Sequence, residues 1–547
     1  MPSLVALPLF LFFSFFLSAQ EANELYERLC ASCHGKDRLG RTAPPLIPEF
    51  LKRRSDEELA RIIREGLPAS QMPAFPQLTD EQLKALVELI KSPVGSIKYG
   101  PSEIKASRTP FNRPPAEYRI NRERNLVVAV DKAGEVYLLE DARVLDRFSF
   151  KNVHGGVKFS TKNRRFYVPA RDGWVAVYDW TAKKPLYKVR ACVYLRNVAL
   201  TPDEEKLAVS CVLPKALVLL DKDLRFLEFI PLKGRPSAVY ELTRRNALAL
   251  AFRDLPAVAV YRDGELKYYP TSSPLEDYFI DPFEAYLVGT SRKEKRLVVF
   301  SLDRKKEVFT EKIESMPHLF SASFWYRDGA FYFATRHTDG SFTVWRLYDW
   351  KKVYRGKLPG KGFFVRTHPK NPYLWLDEQS PYFTLVSKKD LSVQRKRLTE
   401  EGILTHVEFS GDGKLYYLSR LGRKPGLVVG DAFSYEPYAE LPLKRPAGKY
   451  SILLKTRKFL PALLGYEVYL QKCWGCHHTT REAFGPPFKE IALKRPRSLI
   501  VAQILNPEKT YKLLGYERNA MPKIELSPYE LEAVLSFMEV VKDGWLD

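Results

Sequence analysis

Two short runs carry the most explicit chemistry in the chain: Cys30-Ala31-Ser32-Cys33-His34 and Cys473-Trp474-Gly475-Cys476-His477. A Cys-x-x-Cys-His run is the attachment signature of a c-type haem. Two thioethers fix the macrocycle, and the adjacent imidazole ligates iron. Cys30, Cys33, Cys473 and Cys476 would therefore be the covalent anchors, with His34 and His477 the proximal ligands. The iron needs a sixth ligand, and a Met there raises its reduction potential. Met72 and Met521 each stand before a Pro, downstream of Pro44-Pro45 and Pro486-Pro487 respectively. The chain has only 5 Met, so matching positions at both ends argue against coincidence. A zinc or redox Cys-x-x-Cys would need neither the His nor the Met, and a Met filling a core gap would not recur in register.

These groups need elements to hold them. Thr79-x-x-Gln82 and Ser527-Pro528-Tyr529-Glu530 are capping boxes, and they open predicted amphipathic helices at 81–91 and 529–541. Between them the helix signals vanish. Apolar strands ending in polar turns recur with centres near Val136, Val175, Val218, Val258, Val298, Val344, Leu385 and Val428. Their spacing of roughly 40 residues is the period of a propeller blade. No such unit buries both faces alone, but radial stacking does. Two β-sandwiches are the alternative. Both chain ends resemble small class I cytochromes c. The expected architecture is multidomain: an eight-bladed all-β propeller flanked by two small all-α class I cytochrome c domains. Its parts are a signal peptide at 1–19, a cytochrome c domain at 20–98, a linker at 99–117, the propeller at 118–450, a linker at 451–460 and a second cytochrome c domain at 461–547.

Composition agrees with folded, largely β material: 547 residues, 45% hydrophobic, 28% charged and 13% aromatic. Disordered, collagen-like and multi-spanning membrane chains are excluded. The opening apolar run, Leu4 to Leu17, has the length of a signal-peptide core and is short for a membrane span. It lacks a preceding Lys or Arg, so an uncleaved anchor is the alternative to export into the periplasm. Cys192 and Cys211 lie in consecutive predicted strands, where a disulfide and a pair of buried thiols are both open readings. The formal charge of +22 attracts anions or an acidic electron-transfer partner. The basic residues are spread along the chain with no recognition motif, so no nucleic-acid role is expected. After signal cleavage no membrane span is expected, and nothing fixes the oligomeric state.

The middle of the chain also resembles a known family. A cytochrome c followed by an eight-bladed propeller is similar to the cytochrome cd1 group, whose propeller holds a non-covalent haem d1. The segment "VHGGVKFSTKNRRFYVPARDGWVAVYDW" (153–180) resembles the one that carries the proximal haem d1 ligand, which implies His154. Arg171, Arg196 and Arg253 match basic positions that hold the carboxylates of the tetrapyrrole, a task suited to bidentate guanidinium groups.

The distal side separates branches of that family. Nitrite-reducing members place two His over the iron. His318 matches one of them, whereas Glu276 stands where the other falls. His406 is an additional His. This pattern resembles the dihydro-haem d1 dehydrogenase branch, which oxidises a propionate to an acrylate. The resemblance implies two covalent haem c groups and one non-covalent haem d1 or dihydro-haem d1, as prosthetic group or substrate. His318, His406 and Glu276 are the implied catalytic candidates, and periplasmic electron-transfer proteins the partners. The alternatives are an NO-forming nitrite reductase and a non-catalytic carrier. The second cytochrome c departs from both relatives and is expected to be a fused electron acceptor.

Overall fold

A computed structural model describes residues 19–41, 43–51, 54–67, 72–95, 97–360 and 362–546. The expected signal peptide falls almost wholly outside these residues. Among the described residues no helix is long and apolar enough to cross a membrane.

Eight antiparallel sheets make the propeller: seven of four strands, and one extended to five by Thr109–Pro110. The first blade draws its innermost strand, Pro446–Ser451, from the far end of the sequence, pairing Val128 with Tyr450 and Ala129 with Lys449. That exchange closes the ring and removes the free inner edge an open array would present. The eight apolar runs seen in the sequence are the third strand of each blade, from Glu135–Glu140 to Gly426–Asp431. These strands are buried on both faces, which is why they read as continuous Val and Leu.

Both expected linkers are folded. In the 99–117 segment, helix Pro101–Ser107 sinks Ile104 into the core shared by the second and third blades, and Thr109–Pro110 pairs with Lys184–Arg190. An outer blade strand offers unpaired backbone groups, and this segment covers them. In the 451–460 segment, helix Ile452–Lys455 and a 3-10 turn at Arg457–Phe459 close one end of the propeller axis. Cys192 and Cys211 form a disulfide between the approach to the third blade and its second strand.

The N-terminal unit, up to residue 98, packs helices Ala19–Leu29, Asp56–Glu65 and Asp80–Lys91 around Leu25, Tyr26, Leu59, Ile63, Leu86 and Val87. The Thr79–Gln82 capping box is present. The second helical domain belongs to the same compact unit as the propeller. Its helices Leu460–Lys472 and Pro528–Lys542 cross closely at Gly465, where a β-carbon would meet the Ala533 carbonyl oxygen at 1.9 Å. They share one hydrophobic core with the fifth and sixth blades: Phe283, Phe331 and Tyr348 pack with Tyr529, whose ring stacks on Tyr348 at 3.8 Å.

Candidate cofactor and substrate sites

The two haem-attachment runs fold alike. His34 and His477 each donate a backbone N–H to the carbonyl of the first Cys of its run, both at 2.9 Å. Each imidazole Nδ1 lies 2.8 Å from the carbonyl oxygen of the first Pro of the downstream Pro-Pro pair, Pro44 and Pro486. That bond puts the proton on Nδ1 and leaves Nε2 free to bind a metal, as the supporting hydrogen bond of a metal-binding His usually does. Gly485 lets the loop lie on the His477 ring, since a β-carbon there would meet Cε1 at 2.4 Å. Met521 is half-buried with its sulfur 3.8 Å from Gln503 Nε2, and Met72 is half-buried against the N-terminal core. These donor sets fit c-type haem at both ends.

The propeller candidates converge at one end of its axis because blade topology puts them there. His154 and His318 stand just before inner strands. Arg196, Asp277 and His406 lie within the first halves of others. Arg171 and Arg253 follow the ends of second strands. In an antiparallel blade all these points reach the same face.

Arg171 Nη2 lies 2.8 Å from His154 Nδ1 and 3.0 Å from Nε2, and Arg196 Nη1 lies 3.2 Å from Nε2. Burial, then Arg171 and Arg196, hold His154 well below the usual imidazole range. Burial lowers Arg253 to about 9, and Arg196 also falls. Arg171 Nε is buried without a hydrogen-bond partner. So many cations around a neutral imidazole repel one another, and a ligand with several carboxylates would resolve the conflict.

His318 and His406 meet across Phe364. Its ring lies 5.3 Å from His318 and 3.5 Å from His406. His318 Nδ1 is 2.9 Å from Ser321 Oγ, and burial followed by Arg196 and Arg366 lowers the imidazole to about 3. His406 sits in a bulge of strand Ile403–Phe409 with φ +55°, and burial with Lys449 and Lys132 nearby keeps it neutral. A bulge re-aims a side chain, and a positive φ at a non-glycine residue marks backbone held against its preference.

Glu276 behaves differently. Its carboxylate accepts the Arg292 backbone N–H at 3.1 Å and pairs with the Arg292 guanidinium at 3.6 Å. The acid that shapes the pocket is its neighbour Asp277, whose carboxylate accepts the N–H groups of Leu319 and Phe320 at 2.8 and 3.1 Å. That grip fixes the turn behind His318. Burial raises Asp277 to about 7. Sequence reading passed over Asp277, although strand alternation, which sends neighbours to opposite faces, was the available signal. Tyr194, whose hydroxyl accepts from Arg171 at 3.2 Å, was also passed over.

The remaining propeller histidines are structural. His337 Nδ1 lies 3.0 Å from the Ser315 carbonyl oxygen, and His368 Nε2 lies 3.2 Å from that of Gly411.

Comparison with known proteins places this geometry. Residues 121–455 match the family model described as "Cytochrome D1 heme domain". Residues 18–90 match "Cytochrome C oxidase, cbb3-type, subunit III", and 462–542 match "Cytochrome c". The chain is 34% identical over 459 residues to the "Dihydro-heme d1 dehydrogenase" of Pseudomonas aeruginosa, covering 78% of this chain and 92% of that one. It is 21% identical over 422 residues to the "Nitrite reductase" of Stutzerimonas stutzeri, covering 65% and 74%. Among solved structures, "Dihydro-heme d1 dehydrogenase NirN in complex with DHE" matches with TM-score 0.66 and 33% identity, covering 79% of this chain and 99% of that one.

Proposed function

The chain belongs to the cytochrome d1 haem-domain family, and on that premise we propose that it oxidises dihydro-haem d1 to haem d1 in the periplasm, passing the electrons to its c-type haems and on to an electron-transfer partner. The observation that carries this reading is the gathering of His154, Arg171, Arg196 and Arg253 at the same end of the axis as the two neutral imidazoles of His318 and His406.

His154 would hold the tetrapyrrole iron, with the arginines on its carboxylates. Turning a propionate CH2–CH2 into CH=CH removes two protons and two electrons. His318 and His406 are the bases that take the protons, and neutral imidazole is the form able to do so. When bound, the c-type haems supply one-electron acceptors, and two of them match the two electrons released. Anchored to the propeller, the second cytochrome c replaces a bimolecular encounter with a permanent neighbour.

A nitrite reductase would want a second proton donor over the iron where Glu276 stands, and that carboxylate is engaged by Arg292. The test is anaerobic. Dihydro-haem d1 added to the oxidised protein should reduce the haem c bands while the tetrapyrrole spectrum becomes that of haem d1. Binding of the tetrapyrrole without any oxidation would exclude the dehydrogenase, and nitrite turnover would then point to the reductase.

A further inference from the structure

Below His406 the propeller axis holds charged groups that the reaction at the pocket leaves unused. Lys449, on the innermost strand of the first blade, is only 5% exposed. Its Nζ donates to Ser419 Oγ at 2.8 Å and to the carbonyl oxygen of Thr405, the residue before His406, at 3.3 Å. Thr405 Oγ1 donates to Asp377 Oδ2 at 2.7 Å. The carboxylates that act on Lys449 are Glu408, from the His406 strand, and Asp377, from Tyr373–Asp377. The cations are Lys455, from Ile452–Lys455, and Arg366, from Val365–Arg366.

Glu408 itself pairs with the two cations. Its Oε2 lies 3.1 Å from Lys455 Nζ and 4.0 Å from Arg366 Nε. Lys455 and Arg366 line a cavity of about 80 Å³, which Leu464 and Glu467 of the second cytochrome c domain also border. That volume accommodates a few waters, and its mostly apolar wall carries Arg366, Lys455 and Glu467 as its charged groups.

We propose that Lys449 is the proton acceptor behind His406, on the route that leads past Glu408 and Lys455 to the cavity beneath the second cytochrome c domain, on the face opposite the tetrapyrrole. The inference rests on the functional reading above. Two electrons go one each to two oxidised c-type haems, and two protons reach His318 and His406. Only the proton on His406 takes this route, restoring the neutral imidazole for the next turnover. Burial lowers Lys449 well below the usual lysine range and Lys455 to about 8, so both amines give up a proton more readily than an exposed lysine.

Lys449→Met keeps the length of the side chain and removes its proton chemistry, and two measurements judge it. The first needs no turnover: the affinity of the protein for finished haem d1 is measured by optical titration across the neutral and mildly alkaline range. Carboxylates arriving on the nearby arginines favour a protonated Lys449, so wild-type affinity should fall as pH rises through that window. The variant should lose the share of that step that Lys449 contributes, keeping what Asp277, at about 7, and Arg253, at about 9, contribute, and should match wild-type affinity at the alkaline end. The second is reduction of haem c by dihydro-haem d1, which should slow at least about ten-fold, with a changed solvent isotope effect.

A variant that keeps the pH step undiminished, or one that reduces haem c at the wild-type rate, overturns the proposal. So does a loss of tetrapyrrole affinity in step with the rate across the whole pH range, which would make Lys449 a carboxylate-binding residue. Wild-type protein that binds dihydro-haem d1 but never oxidises it sinks the functional reading instead, and the binding titration still judges Lys449.

Discussion

His318, from the turn before one inner strand, and His406, from another inner strand, both reach Phe364, and both are held neutral by burial and by surrounding cations. For His318 the value of about 3 belongs to the protein without its ligand. A depressed imidazole keeps its proton-accepting form as pH falls and loses it only near that value. The carboxylates of a bound tetrapyrrole would offset Arg196 and lift His318 toward the ordinary range. The pH dependence of kcat/KM, which reports the free enzyme, should therefore show no histidine limb between about pH 5 and 8. That of kcat should show an acid limb nearer the ordinary imidazole value. His318→Ala and His406→Ala should each lower kcat by about 10²–10⁴-fold while leaving tetrapyrrole affinity nearly unchanged. Steady-state rates beside optical titration would check both. An equal loss of rate and affinity would make the imidazoles packing groups.

The elements show why some of this was legible in sequence and some was not. The third strands of the blades are largely buried on both faces, so apolar residues dominate them and eight repeats stand out. The inner strands carry the site: Arg196, Asp277, His406 and Lys449 interrupt them and blur their pattern. The haem runs were legible because Cys, Cys and His act within five residues. Asp277 and Lys449 gain meaning only when distant strands meet: Asp277 grips a turn 42 residues further on, and Lys449 reaches the axis only because the last strand closes the first blade.

The join to the second cytochrome c domain was equally hidden. Glu467 accepts the Tyr326 backbone N–H at 2.6 Å and pairs with Lys388 at 2.6 Å, both charged side chains being nearly buried. Arg244 reaches Glu532 at 2.8 Å. Removing one partner of such a pair strands the other in low dielectric. Glu467→Ala should therefore cost about 3–5 kcal/mol, read by calorimetry as earlier melting of the C-terminal helices. Melting unchanged from wild type would show that the apolar core alone holds the domain in place.

Across the whole molecule, the closed ring separates two ends of one axis. Tetrapyrrole residues open on one face, while Arg457 and Lys458 fasten the second cytochrome c to the other, on the Asp281 carbonyl and on Glu204. On the proposed reading, substrate entry and the electron passed to the second cytochrome c therefore use opposite faces of the propeller. The charge of +22 acts differently on the two steps. Transfer from bound substrate to haem c is intramolecular and should be nearly indifferent to salt. Discharge to an acidic one-electron acceptor is a diffusional encounter steered by the field of a basic protein. Its second-order rate should fall steeply as ionic strength rises past about 0.1 M, where the screening length shrinks to about 10 Å. Stopped-flow mixing at several salt concentrations separates the phases: the first, haem c reduction, should hold its rate while the second, reoxidation, slows. A salt-independent second phase would mean that the partner docks through neutral contacts and that the basic surface serves the anionic substrate alone.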